Sequence, residues 1–220
     1  MRTAINTCFI VCAVALLSPQ ATRAQGSTTY LSNLGQPSTG SVAVGSNSWV
    51  ATTFRTGPNA SGYALDSIQL GMANASGSPS GFTVMIYAMS TAAPIPGNSL
   101  DTLEGSLDPA SSGIYTYTPA SSLILSSETY YYIVLTAGTA TANGAFDWSY
   151  VNADSYNPSG GWTGFGGAIP SSNGLSWSGG PSVYPQYSID AEAIPEPGTL
   201  SLFTLAGLGL LWHRRKAMVL

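Results

Sequence analysis

From Tyr130 to Leu135 the chain reads Tyr-Tyr-Tyr-Ile-Val-Leu, six aromatic or branched aliphatic residues with no turn former among them. A run of this length and composition predicts a strand, Thr129–Thr136, and sets a β class for its surroundings. Period-two alternation recurs around it. Trp49–Phe54 predicts one strand. Tyr63–Met72 predicts another, with Tyr63 and Leu65 on one phase and Ile68, Leu70 and Met72 on the other, so a bulge near Asp66-Ser67 would let both groups face a core. Phe82–Met89 is apolar on both phases, as a central strand is. Ile114–Thr118, Gly174–Ser178 and Tyr187–Ala193 complete the pattern, and Ala145–Val151 is placed as a hairpin partner of Thr129–Thr136 across Asn143-Gly144. Gly-, Pro-, Ser- and Asn-rich loops separate them, notably 74–81, 91–98 and 152–180. No segment has the apolar stripe of an amphipathic helix. The predicted fold is all-β, a two-sheet β-sandwich with jelly-roll topology as one candidate strand order.

Both ends differ from this pattern. Met1 and Arg2 precede an unbroken apolar stretch, Cys8–Leu17, and Thr22-Arg23-Ala24 offers a small-x-small cleavage site before Gln25, which predicts a secretory signal peptide over residues 1–24. At the other end, Ile194-Pro195-Glu196-Pro197-Gly198 leads into the apolar run Thr199–Trp212 and then His213-Arg214-Arg215-Lys216. Pro195 and Pro197 hold their segment extended. The fourteen residues 199–212 fall short of the ~20 that span hydrocarbon as an ideal helix, so this single transmembrane segment is a marginal one. Arg214, Arg215 and Lys216 form an orientation cluster that keeps the terminus cytoplasmic.

Residues 194–216 resemble the PEP-CTERM sorting signal. The resemblance implies an exported protein whose tail an exosortase cleaves near Pro195, Glu196 and Pro197 before the protein moves on to the cell surface. The same composition also describes an anchor that is never cleaved. The expected organisation is a signal peptide, an exported domain over residues 25–193, and a sorting signal over 194–216. The precursor would be held transiently in the inner membrane.

A second resemblance lies in the domain. Trp49–Phe54 with Thr56-Gly57, then Tyr63–Leu70, Thr83–Tyr87, Pro96-Gly97 and Leu123–Leu135 are similar to the choice-of-anchor R domain, a β-rich module of exported bacterial proteins. That resemblance spans about Val42–Ile194 and brings no catalytic residues with it.

Composition then removes most chemistry. Both cysteines (Cys8, Cys12) precede Gln25 and the sole histidine, His213, lies in the tail, as does the sole lysine. The exported domain therefore has no disulfide, no thiol nucleophile, no His-based triad and no Cys or His metal ligand. Arg55 stands alone against nine acidic residues between Gln25 and Ile194, a net charge of about −8 that repels nucleic acid and anionic headgroups. Four tryptophans and twelve tyrosines in the domain separate it from a disordered chain of similar polarity.

No catalytic residue, metal or cofactor is assigned. Asp147 and Asp154 beside Trp148, Tyr150 and Tyr156 would be the minimum equipment of a glycoside hydrolase, but acids beside Gly, Ser and Pro are also ordinary turn formers. Asp101, Glu104 and Asp108 could surround a hard cation or simply be solvated. Trp162 and Trp177, in a Gly-rich loop, are candidates for stacking on glycans, or for a satellite core at the end of the sandwich. The expected function is a non-enzymatic surface or extracellular-matrix module associated with exopolysaccharide. The alternative is a carbohydrate-binding or carbohydrate-active secreted protein.

Overall fold

The computed structural model describes residues 26–179 and 182–196. The expected signal peptide, the 199–212 span, Pro197 and the cluster Arg214, Arg215 and Lys216 lie outside them. No helix among the described residues is long and apolar enough to cross a membrane.

Among the described residues fourteen strands run in chain order: β1 (Thr28–Ser32), β2 (Gly40–Val44), β3 (Trp49–Arg55), β4 (Tyr63–Gly77), β5 (Thr83–Met89), β6 (Pro96–Leu103), β7 (Gly113–Tyr117), β8 (Leu123–Leu125), β9 (Tyr130–Thr136), β10 (Gly144–Val151), β11 (Asn157–Pro158), β12 (Thr163–Ser171), β13 (Tyr184–Pro185) and β14 (Tyr187–Ala193). They form two antiparallel sheets packed as a sandwich. The five-stranded sheet has the order β12-β3-β9-β5-β6. The nine-stranded sheet follows β11-β1-β14-β4-β10-β13, with β2 on β10 and with β7 and β8 on β4. Consecutive strands β3, β4 and β5 alternate between sheets, so their phases of alternation meet in one core.

That core contains Phe54, Ile68, Leu70, Val84, Ile86, Ile133, Leu135, Phe146, Trp148, Tyr187 and Ile189, all fully buried. β4 reaches it from both of its phases. Its pairing with β14 slips at one point, where Ser67 faces Asp190 but Leu65 faces Ala191. Asp66 is the extra residue, and the bulge turns Tyr63 and Leu65 to the same side as Ile68, Leu70 and Met72. The predicted bulge is found at the predicted place.

β9 lies at the centre of its sheet and is buried on both faces, which explains its unbroken apolar sequence. Tyr131, Ile133 and Leu135 enter the main core. Tyr132 and Val134 point the other way and, with Ala51 and Met85, form a second cluster on the outer face beneath Trp49, Tyr87, Ile169 and Trp177.

Two sequence expectations are corrected. β10 is not the hairpin partner of β9: β9 pairs with β3 and β5, whereas β10 pairs with β2, β4 and β13 in the opposite sheet. The Thr141–Gly144 turn is an arch between layers. Asn143 does not adopt the positive φ that a two-residue type I′ turn requires, and Gly144 alone does, at φ 144°. The second correction concerns Gly174–Ser178, which is a loop with one bridge, Ser171 to Trp177. Ser171 Oγ accepts from the Gly174 N–H at 2.9 Å and Asn173 Oδ1 accepts from the Leu175 and Ser176 N–H groups at 2.9 and 3.1 Å. These side-chain bonds take donors that a strand would give to a neighbour. Conversely, β12 lies inside the segment expected to be loop.

Candidate functional site

The end from which the chain leaves the sandwich is built by one turn. Asn59 opens it, and its carbonyl accepts from the Gly62 N–H at 2.9 Å. Gly62 has φ 79°, and a Cβ there would lie 2.6 Å from the Leu125 carbonyl oxygen, so glycine is required. The Asn59 side-chain amide donates to the carbonyls of Gly62 (2.6 Å) and Ile194 (3.0 Å). The Ile194 N–H in turn donates to Gly62 O at 3.1 Å. These bonds extend the β4–β14 ladder, whose last pair is Tyr63 with Ala193, by one residue. Pro195 and Glu196 are exposed. A carboxylate oxygen of Glu196 accepts from the Ala60 N–H at 3.4 Å.

Just inside this end is an aromatic stack. Trp162 is 1 % exposed. Its ring lies parallel to Phe54 (5.8 Å, 4°) and Tyr30 (5.0 Å, 18°), and Tyr63 meets it edge-on (5.0 Å, 77°). Both faces of the indole are therefore covered by protein. Of the two tryptophans considered for glycan stacking, Trp162 belongs to the core.

Trp177 is placed differently. It is half-buried on the outer face of the five-stranded sheet with Trp49, Tyr87 and Ile169, around the buried centre of Tyr132, Val134, Ala51 and Met85. Strand register continues this surface. Phe165 pairs with Thr53, Thr53 with Tyr132, and Tyr132 with Tyr87, so one row crosses β12, β3, β9 and β5. Three interstrand steps give it a length of about 14 Å. Phe165 is 42 % exposed and lies 5.4 Å from the half-buried Tyr130, whose ring also carries Arg55 at 5.7 Å. Arg55 is tied to Glu128 by an ion pair at 3.1 Å, so this cation is locally balanced. The outer face thus presents partly exposed aromatic rings with little net charge. Sequence reading found Trp177 through its loop composition. It placed Phe165 in the same loop, but it missed Tyr87 and Tyr130 as members of one surface because strand order alone brings them together.

The acidic candidates have separate local tasks. Asp147, on β10, accepts from Ser41 Oγ at 3.1 Å. Asp154 is exposed, and its charge adds to the burial that pushes the Tyr156 and Tyr187 phenols up. Asp101 accepts from the Thr102 N–H at 2.8 Å, Glu104 forms a backbone bridge with Thr118, and the Asp108 N–H donates to Ser106 Oγ. Among the described residues no three His, Cys, Asp or Glu side chains come together where they could hold a metal ion. Asp101, Glu104 and Asp108 do not form the cation site considered from sequence.

Residues 193–216 match the PEP-CTERM protein-sorting motif. The chain carries a PEP-CTERM signal. It is accordingly an exported protein that passes through a membrane-anchored precursor and is sorted by an exosortase. The match begins at Ala193, the final residue of β14, so the PEP-CTERM motif starts inside the folded domain with no linker between them. Comparison with the curated proteins finds no match. The PEP-CTERM match does not extend over residues 42–192, and the resemblance to the choice-of-anchor R domain is not confirmed.

Proposed function

We propose that this PEP-CTERM protein is a non-enzymatic module of the cell surface or extracellular matrix that contacts exopolysaccharide through the outer face of its five-stranded sheet. The observation supporting this is the group of partly exposed rings Tyr87, Tyr130, Phe165 and Trp177, beside the half-buried Trp49, on one nearly uncharged surface. Sugar rings present C–H faces that pack against aromatic faces, and a platform of several rings binds a chain without reading any single charged group. The domain's net negative charge favours a neutral polymer over an anionic one. Export and sorting bring the domain to where such polymers lie, and removal of the tail near Pro195-Glu196-Pro197 frees it from the membrane.

The reading is tested by affinity electrophoresis of the domain through gels containing neutral polysaccharides. Replacing Phe165 and Trp177 together, Phe165→Ser with Trp177→Ala, should reduce retention roughly tenfold, as the loss of two ring contacts of about 0.5–1.5 kcal/mol each implies. Retention by the parent protein that is unchanged in the double variant would refute the platform.

A further inference from the structure

We propose that the Asn59–Gly62 turn is a clamp that withholds the sorting motif from its processing enzyme, with Asn59 as the positioning residue. The proposal rests on the reading that the tail is cleaved near Pro195-Glu196-Pro197, and its observations are separate from those that support the sugar platform. Ile194 is the last residue before the motif's first proline, and both of its backbone polar groups are held by this turn. Its N–H donates to Gly62 O at 3.1 Å and its carbonyl accepts from the Asn59 amide at 3.0 Å. Pro195 has no N–H to lose. Glu196, the acidic residue of the motif, has its carboxylate against the Ala60 N–H. An enzyme that gripped this segment by its backbone and by the Glu196 carboxylate would first have to separate residues 194–196 from the turn.

The same geometry accounts for a second sequence feature. Asn59-Ala60-Ser61 matches a glycosylation sequon, but the Asn59 amide nitrogen is already used by two carbonyls, at 2.6 and 3.0 Å. The Asn59 N–H also donates to Tyr63 Oη at 3.2 Å, and Tyr63 packs on Trp162. The clamp is thus joined to the aromatic stack that closes this end of the sandwich. Release of the tail is linked to the integrity of the domain, since a chain that has not yet formed β4 and β14 has no clamp.

Three variants of the full chain in its producing cells test this. Asn59→Ala removes the amide, Asn59→Asp keeps the shape and removes the donor, and Ala60→Pro deletes the N–H that faces Glu196 at a turn position proline tolerates. Each should speed tail removal, followed by intact mass, by about fivefold, the population change that one net hydrogen bond of ~1 kcal/mol produces. In the purified full chain, amide exchange at Ile194 should accelerate by a similar factor in the Asn59 variants and not in Ala60→Pro, with β9 amides unchanged in all three. Unchanged or slower tail removal in all three variants would overturn the clamp. If the wild-type tail is never removed, the cleavage reading fails; Ile194 exchange then decides the clamp by itself, and exchange insensitive to Asn59→Ala overturns it.

Discussion

Trp162→Ala is the perturbation that most directly tests how the closed end of the sandwich is held. The indole is 1 % exposed and has aromatic neighbours on both faces and along one edge. Truncating a buried Trp or Phe to Ala costs about 3–5 kcal/mol from lost transfer energy and the residual cavity. Each aromatic pair adds about 0.5–1.5 kcal/mol beyond area, and three pairs converge on Trp162, which places the expected loss near the upper end, ~5 kcal/mol. The stack cannot close over the gap cheaply, because Phe54 is fixed by β3 and the Tyr63 hydroxyl by the Asn59 N–H of the clamp turn. For a domain of this length the melting temperature falls about 2–4 °C per kcal/mol, so Trp162→Ala should melt roughly 10–20 °C below the parent. Trp162→Phe keeps a ring in the stack and should lose less than half as much. Thermal unfolding followed by circular dichroism, with urea midpoints as a second measure, reads both. A Trp162→Ala protein melting within about 3 °C of the parent would refute the core assignment and return Trp162 to the list of sugar-stacking candidates.

A backbone contact and a titration give two further expectations. Gly57→Ala should destabilise by about 1–3 kcal/mol, since the new methyl would press on the Gly160 carbonyl and the Tyr63 hydroxyl, whereas Gly35→Ala, with open space around it, should melt within a degree or two of the parent. Burial raises the phenol pKa values of Tyr117 and Tyr187 above the ordinary value near 10. The folded state therefore holds these protons longer than the unfolded chain, so their contribution is complete below pH ~10 and declines above it, by about 1.4 kcal/mol per pH unit for each tyrosine. Tyrosinate absorbance at alkaline pH should then rise together with loss of the folded circular dichroism signal, and full ionisation of all tyrosines with the fold intact would contradict it.

What could be read from sequence depended on whether the signal was local. The Asp66 bulge was legible because the phase change between Leu65 and Ile68 lies within a few residues, and only one rearrangement puts both sets inside. β9 was legible because burial on both faces leaves no polar positions. β10 was misassigned for the opposite reason. Asn143-Gly144 is a local turn signal, but the choice of partner strand was made by Phe146 and Trp148, which fill the core from the other layer. β12 went unseen because its pairing with β3 jumps from Phe165 to Ile169 across Gly166, Gly167 and Ala168, so neither its composition nor its spacing looks like a strand. β2 was missed although its alternation was readable, with Val42 and Val44 against Ser41 and Ala43. The sorting motif was legible residue by residue, since its parts are contiguous. The aromatic surface and the clamp were not, because each assembles residues separated by scores of positions.

The edges of the five-stranded sheet bear on which surface is free to make contacts. Exported strands with open edges invite pairing with a second chain, and lysine is the common deterrent. This domain has none. Its edge strands are blunted by other means: β6 begins at Pro96, carries Asp101 and breaks register twice against β5, while β12 is bulged at three residues and contains Pro170. Growth of the sheet by strand addition is therefore disfavoured on both sides. At the C-terminal end the polar backbone groups are already occupied by the clamp and the rings behind it by one another. The outer face is different, because the rings of Phe165, Tyr130, Tyr87 and Trp177 remain partly open on the flat of the sheet, away from its edges. A surface of that kind is suited to a ligand that supplies flat apolar faces and brings its own hydroxyls, which is the chemistry of a polysaccharide and not that of another β-chain.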